Sequence, residues 1–125
     1  MTEEEKNLLL IDLCSRLPYG VKVEAETWLE DEGEFAYVPD KVYSINSDGY
    51  IVHGYDEVYE CKPYLFPLSS MTGEQKEEFD RLYTYDALIV EPQWKLIDWL
   101  NKNHFDYRGL IEKGLAIDAT NKNIY

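Results

Sequence analysis

The spacing of apolar residues predicts a helix at the start of the chain. Across residues 3–17 they recur every three or four positions, which is typical of an amphipathic helix. The predicted apolar stripe consists of Leu10, Leu13, Cys14 and Leu17. Pro18 should end this helix, because proline cannot continue the helical hydrogen-bond pattern.

Between residues 20 and 61 the apolar residues alternate instead, which indicates short strands. The predicted strands are residues 21–29, 34–38, 41–45, 50–53 and 57–61. Trp28 falls on the polar face of the first strand, and Pro39 should separate the second from the third, because proline cannot donate to a central ladder. Residues 46–49 read as a tight turn. The pattern predicts a small bent antiparallel sheet or an open barrel of four to five strands.

The third quarter of the chain predicts a connector and a second helix. Residues 62–70 are apolar and bracketed by prolines, and we expect them to cover one end of the sheet. Thr72 and Gln75 have the spacing of a capping box, which predicts a helix over residues 73–83. Its expected buried face consists of Phe79, Leu82 and Tyr83. Residues 88–90 form a further β-like run.

The stretch from Pro92 to Ala119 carries two of the three tryptophans and predicts two short helices. Pro92 suits the first turn of a helix over residues 93–102. The residues expected to be buried there are Leu96, Ile97, Trp99 and Leu100. Asp106 should cap a second helix over residues 107–113, after which residues 115–117 leave as an extended segment. The whole chain, residues 1–125, reads as a single α+β domain.

Charge narrows the possible partners. The net charge is -13, which argues against direct binding to nucleic acid or to an anionic membrane. The first 91 residues hold 21 acidic and 7 basic residues, net -14, whereas the last 34 hold 4 and 5, net +1. The chain also carries 11 tyrosines, which suit half-buried strands and contact surfaces.

The start of the chain and its cysteines predict a cytoplasmic protein. Residues 1–7 are acidic where a secretory signal is basic, and the longest apolar run, Leu8–Ile11, is far too short to span a bilayer. Cys14 and Cys61 lack metal-ligand or redox spacing, and we expect both to be buried free thiols.

One group of residues resembles a catalytic site, because a base, an acid and a cation lie within five positions: His104, Asp106 and Arg108. Structural roles explain them more simply, with Asp106 as a helix cap and Arg108 paired with an acid. The predicted helix–turn–helix resembles a DNA-reading motif in outline. However, it lacks the basic surface that DNA binding requires.

No metal or cofactor site is predicted. The acidic run of residues 30–34 surrounds a glycine but lacks the ligand spacing of a calcium loop. His53 and His104 cannot complete a plausible zinc site with two separated cysteines. Nucleophile motifs and phosphate-binding glycine loops are also missing from the sequence.

Two segments, KPYLFPLSSMTGEQKEEF (residues 62–79) and WLNKNHFDYRGLIEKGLAIDA (residues 99–119), resemble a family of small uncharacterised proteins. That family is encoded in the genomes, prophages and mobile elements of gut anaerobic bacteria. The resemblance covers about a third of the chain by direct motif. It implies a bacterial or phage cytoplasmic accessory protein, with no activity and no site residues to carry over.

The leading hypothesis is a non-enzymatic binding or adaptor protein with a protein partner. Its contact face would be the aromatic C-terminal quarter or the tyrosine-bearing face of the sheet. The candidate binding residues are Trp28, His104, Tyr107 and Arg108. One alternative is an acidic inhibitor that mimics nucleic acid and occupies a basic groove of a DNA-handling protein. Another is a small hydrolase or nucleotide-binding enzyme that uses His104, Asp106 and Arg108.

Overall fold

The fold was obtained as a computed structural model, and it has the α+β organisation that the sequence predicts. The structure describes residues 2–42, 44–45, 51–53, 56–58, 61–83 and 93–125; of residues 25–28, 51–53, 56–58 and 93 only the backbone is described. In chain order the elements are α1 (Glu3–Arg16), β1 (Lys22–Leu29), β2 (Glu34–Lys41), β3 (Ser44–Ile45), β4 (Ile51–His53), β5 (Asp56–Val58), β6 (Lys62–Pro67), α2 (Gly73–Tyr83), α3 (Gln93–Lys102), β7 (Phe105–Asp106) and β8 (Ile117–Asp118).

The main sheet has the strand order β2-β1-β6-β7, and β8 also pairs with β6. The hairpin of β1 and β2 is antiparallel, as is the pairing of β1 with β6. In contrast, β7 and β8 both run parallel to β6. The five strands predicted before residue 61 are present, but β3, β4 and β5 form a separate antiparallel sheet. The main sheet is therefore mixed, and it includes segments that the alternating pattern did not mark as strands.

Helix α1 has the predicted boundaries to within one residue but buries a partly different face. Thr2 and Glu5 form a capping box at its start. Its buried residues are Leu9, Asp12, Leu13 and Arg16, whereas Cys14 is exposed. The predicted stripe was correct for Leu13 and wrong for Cys14, because it counted only apolar residues and α1 places a charged pair in the interior.

Two predictions based on proline were wrong. Pro39 does not end a strand, because β2 runs unbroken from Glu34 to Lys41 with Pro39 opposite Glu24. It is tolerated there because β2 lies at one end of the sheet, where a proline nitrogen can face away from the neighbouring strand. Residues 62–67 are not a connector but the strand β6, with Pro63 opposite Val23. Two further strands pair with it, so β6 lies in the interior of the sheet.

Helices α2 and α3 have the predicted boundaries and pack together. The Thr72 hydroxyl accepts from the Gln75 N–H, and the Gln75 side chain accepts from the Thr72 N–H, which confirms the capping box. Together with β7 they bury a cluster of Leu82, Leu96, Leu100 and Phe105. Two residues expected in this cluster are instead exposed, Tyr83 and Ile97.

The second predicted C-terminal helix, residues 107–113, is wrong. Residues 110–114 form turns, and Asp106 belongs to β7. The Asp106 carboxylate nevertheless caps this segment by accepting hydrogen bonds from the N–H groups of Leu110 and Ile111. Gly109 and Gly114 both have φ of 73°, a conformation that breaks regular helix. The two glycines turn the chain back so that β8 can reach β6.

Among the described residues, α1, the strands β1 and β6 and the C-terminal segment meet in a hydrophobic cluster larger than the one around Phe105. Its buried members are Leu9, Leu13, Val21, Val23, Val42, Cys61, Leu65, Leu110, Leu115 and Ala116. None of the helices in the described part of the chain is long and apolar enough to cross a membrane. The predicted turn at residues 46–49, the β-like run at residues 88–90 and Pro92 lie outside the described residues.

The two cysteines should differ in reactivity. Burial raises the pKa of the Cys61 thiol to about 12, whereas Cys14 is exposed on α1. Because the thiolate is the reactive form, we expect an alkylating reagent to label Cys14 in the native protein and Cys61 only after unfolding. Mass spectrometry of digested peptides measures this, with Cys14→Ser as the control. Rapid native labelling of Cys61 would contradict the described packing.

Candidate functional site

A fully buried ion pair lies on the inner face of α1. The Arg16 Nε donates to Asp12 Oδ2 at 2.8 Å and its Nη2 to Asp12 Oδ1 at 3.1 Å. Both side chains have 0% exposure. They face one another because residues four apart lie on the same side of a helix. Arg16 Nη2 also donates to the backbone carbonyl of Phe105 at 2.6 Å, which ties α1 to β7.

Arg108 brings a second positive charge to the same carboxylate. Its Nε donates to Asp12 Oδ1 at 3.2 Å. The Tyr107 ring contacts both guanidinium groups, with the Arg16 Cζ at 5.1 Å and the Arg108 Cζ at 5.0 Å from its centroid. Such cation–π contacts add electrostatic attraction to the packing. We call Asp12, Arg16, Tyr107 and Arg108 the arginine cluster.

His104 lies beside the arginine cluster in an uncommon backbone conformation. It has φ of 61° and stacks on the Tyr125 ring, with 3.6 Å between the centroids. Burial, together with the positive charges of Arg16 and Lys22, lowers the pKa of His104 to about 4. The imidazole is therefore neutral at physiological pH.

Tyr125 holds the C-terminal segment against the sheet. Its hydroxyl donates to the Tyr64 carbonyl at 2.7 Å and accepts from the Lys22 N–H at 2.9 Å. Although the residue as a whole is 43% exposed, the hydroxyl is enclosed by these partners, and burial raises the pKa of Tyr125 to about 12. Lys22 Nζ also donates to the Ile124 carbonyl at 2.8 Å.

Two buried nitrogens beside Tyr107 and Tyr125 have no hydrogen-bond partner among the described residues, Arg16 Nη1 and His104 Nδ1. Arg16 also binds the Phe105 carbonyl, and Arg108 binds Asp12, so these two contacts join separate parts of the fold. The arginine cluster therefore connects α1, β7 and the segment after it, which is primarily a structural arrangement.

Of the four candidate binding residues, Tyr107 and Arg108 contact one another, whereas His104 stacks on Tyr125. The structure describes only the backbone of Trp28, whose register partner across the hairpin is Phe35. Sequence reasoning missed Asp12, Arg16 and Tyr125. The spacing of Asp12 and Arg16 on a predicted helix was the available signal, but it is also the spacing of many exposed ion pairs.

The catalytic alternative relied on His104, Asp106 and Arg108, and each of these side chains has another task. His104 stacks on Tyr125, Asp106 caps the turn at residues 110–111, and Arg108 pairs with Asp12. Among the described residues, no group of three histidine, cysteine or acidic side chains is placed to hold a metal ion.

A second candidate surface lies on β2. Phe35 and Tyr37 are 62% and 68% exposed, and because they are two residues apart in a strand they share one face. We call these two side chains the β2 aromatic face. The turn before β2 presents exposed acidic side chains, Glu30, Asp31 and Glu32. Gly33, with φ of 65°, completes this turn and brings the strand back along β1.

The C-terminal quarter exposes fewer of its rings than its composition suggests. Trp94 is 61% exposed, whereas Phe105 is 1% exposed and Trp99 and Tyr107 are half-buried in contacts with the core.

Comparison of the chain with protein-family models, with curated proteins and with solved structures gave no match.

Replacing Asp12 with Ala should strongly destabilise the fold. The change leaves Arg16 buried without its carboxylate, a situation that typically costs about 3–5 kcal/mol. Urea unfolding followed by tryptophan fluorescence measures the loss in the free energy of unfolding. Asp12→Asn, which keeps the shape and one acceptor, should lose less.

The matched control is Glu78→Ala, which breaks an exposed pair of similar geometry with Arg81, 2.7 Å between Oε1 and Nη2. Exposed pairs contribute little to stability because water screens them, so this variant should unfold almost as the wild type does. Equal losses for the two variants would show that the arginine cluster does not stabilise the fold.

The low pKa of His104 should make stability depend on pH. In the unfolded chain the histidine pKa is about 6.5, so at lower pH the unfolded state binds a proton that the folded state does not. Stability is therefore expected to fall as the pH drops from about 6.5 towards 4. The variant His104→Asn should lose this part of the pH dependence of stability, and asparagine tolerates the positive φ at this position.

Urea unfolding of wild type and His104→Asn across this pH range measures the difference. The wild type should lose more stability than the variant on acidification. NMR titration of the folded protein provides an independent reading. A His104 midpoint above about 6.5 would contradict the described environment.

Proposed function

We propose that this protein is a non-enzymatic binding protein that recognises a partner protein through the β2 aromatic face. The observation that carries the proposal is the exposure of Phe35 and Tyr37, 62% and 68%, side by side on one strand. Single exposed apolar residues are normal on protein surfaces. A pair of large rings on one flat strand face instead offers contiguous contact area, and aromatic residues are enriched in interfaces.

The surroundings of the two rings favour this surface over the C-terminal quarter. Tyr107 and Arg108 already contact one another and Asp12, and His104 is buried against Tyr125. A partner would have to displace these contacts to reach them. The β2 aromatic face already presents much of both rings to solvent, at 62% and 68% exposure.

The same contacts weaken the case for a hydrolase or nucleotide-binding enzyme. Acid–base catalysis needs groups that reach a common substrate position. Instead, His104 stacks on a tyrosine ring and Asp106 accepts hydrogen bonds from two backbone amides. Arg108 pairs with a buried carboxylate. For the setting of this activity we keep the sequence-based proposal of a cytoplasmic accessory protein of bacterial or phage origin.

The test is affinity capture from the lysate of an anaerobic gut bacterium, with the immobilised protein as bait. A specific partner should be captured by the wild type and lost with Phe35→Ala/Tyr37→Ala, because that variant removes both rings. The matched control is Tyr83→Ala/Trp94→Ala, which removes two rings of similar exposure, 64% and 61%, from the helices. Equal loss with both variants, or no partner with the wild type, would contradict the proposal.

A further inference from the structure

We propose that the partner contributes an extended, lysine- or arginine-rich segment that adds to β2 as a further strand. This inference rests on the proposed binding function and specifies the chemistry of the partner. It follows from the charge of the hairpin and from the position of β2 in the sheet. It follows also from the spacing of Phe35, Tyr37 and Pro39, which occupy alternate positions of this strand.

The hairpin is strongly acidic. Residues 22–41 hold 7 acidic and 2 basic residues, a net charge of -5. A complementary potential steers a positively charged partner and disfavours an acidic one. The exposed rings add to this preference, because lysine and arginine bind favourably over aromatic faces.

The backbone of β2 is suited to strand addition. In the described part of the chain, β1 is the one strand that pairs with β2, along all eight residues. An extended segment can therefore form main-chain hydrogen bonds with the opposite edge, a common mode of peptide recognition. Alternate side chains of the added strand would lie over the β2 aromatic face.

Pro39 indicates which β2 residues direct their backbone groups outward. Its ladder position opposite Glu24 is tolerated if its nitrogen faces away from β1. Backbone groups alternate in direction along a strand, so Phe35 and Tyr37 share this parity and direct their N–H groups outward. The missing N–H of Pro39 limits the added ladder to the first part of β2, where the two exposed rings lie.

A second copy of the chain is a poorer occupant than a basic segment. Pairing two β2 edges would bring together two hairpins that each carry a net charge of -5, and like charges repel. We therefore expect the protein to be monomeric by light scattering in the absence of a partner. A dimer that Phe35→Ala/Tyr37→Ala disrupts would overturn the inference.

The binding probe is a fluorescently labelled peptide of about ten residues that alternates lysine and valine, long enough to cover one strand. Anisotropy should report binding to the wild type, with no binding of an otherwise identical glutamate–valine peptide. Neutralising the turn with Glu30→Gln/Asp31→Asn/Glu32→Gln should weaken binding about tenfold. The control neutralises three exposed acids of α2 with Glu74→Gln/Glu77→Gln/Asp80→Asn and should change affinity less than about twofold. Equal weakening by both variants would show attraction by total charge alone and would overturn the inference.

Two substitutions at Tyr37 separate strand addition from contact with the ring. Tyr37→Ala and Tyr37→Pro both remove the ring, but only the proline removes the outward N–H. If a strand is added, Tyr37→Pro should bind about fivefold more weakly than Tyr37→Ala, the value of one hydrogen bond. Thermal melting checks that both variants fold. Equal affinities would refute strand addition.

Hydrogen exchange in the wild type gives the same answer without substitution. The Tyr37 amide should become more protected when the lysine–valine peptide is bound, and unchanged exchange of this amide would overturn the inference. The peptide experiments could fail while capture from the lysate still depends on Phe35 and Tyr37. That result would support the proposed function and reject the basic segment. Failure of both experiments would reject both.

Discussion

The fold depends on the fully buried carboxylate of Asp12. It accepts hydrogen bonds from Arg16 on its own helix and from Arg108 near the other end of the chain. Because a buried charge is tolerated only when it is paired and hydrogen-bonded, the three residues specify how α1 sits against β7 and the following turns. The Tyr107 ring contacts both guanidinium groups. The apolar cluster around Leu13, Val23 and Leu65 supplies the burial, and the ion pairs supply the orientation.

Local signals predicted α1, α2 and α3, although they also predicted a helix over residues 107–113 that is absent. The Thr72 and Gln75 capping box and the apolar period of residues 93–102 specify structure within a few residues, and both predictions are confirmed. The mixed sheet was harder to predict, since β7 and β8 have two residues each and pair with β6 across about 40 or more positions in the chain. Such short strands carry no alternation of their own. Pro63 and Pro67 also concealed β6, because prolines normally indicate the absence of a central strand.

The candidate sites show the same division between local and long-range information. Sequence reasoning selected His104, Tyr107 and Arg108 because polar and aromatic residues are concentrated there, and the structure places Tyr107 against Arg108. It could not identify Asp12 as their partner, because that contact joins residues 96 positions apart. The β2 aromatic face was missed for another reason. Phe35 and Tyr37 look like ordinary strand residues until the sheet order places their strand at one end.

The contact between Arg16 and the Phe105 carbonyl joins residues that are 89 positions apart in sequence. This separation has a consequence for folding during synthesis. While the chain emerges from the ribosome, α1 can form early with its pair of Asp12 and Arg16, but the Phe105 carbonyl and Arg108 are absent until the last quarter has been made. The parallel partners of β6 arrive equally late. Contacts this distant must overcome a large loop-closure entropy before they contribute stability. The domain therefore acquires its native packing after translation of the last quarter, and nascent chains that stop earlier present an incomplete sheet to chaperones and proteases.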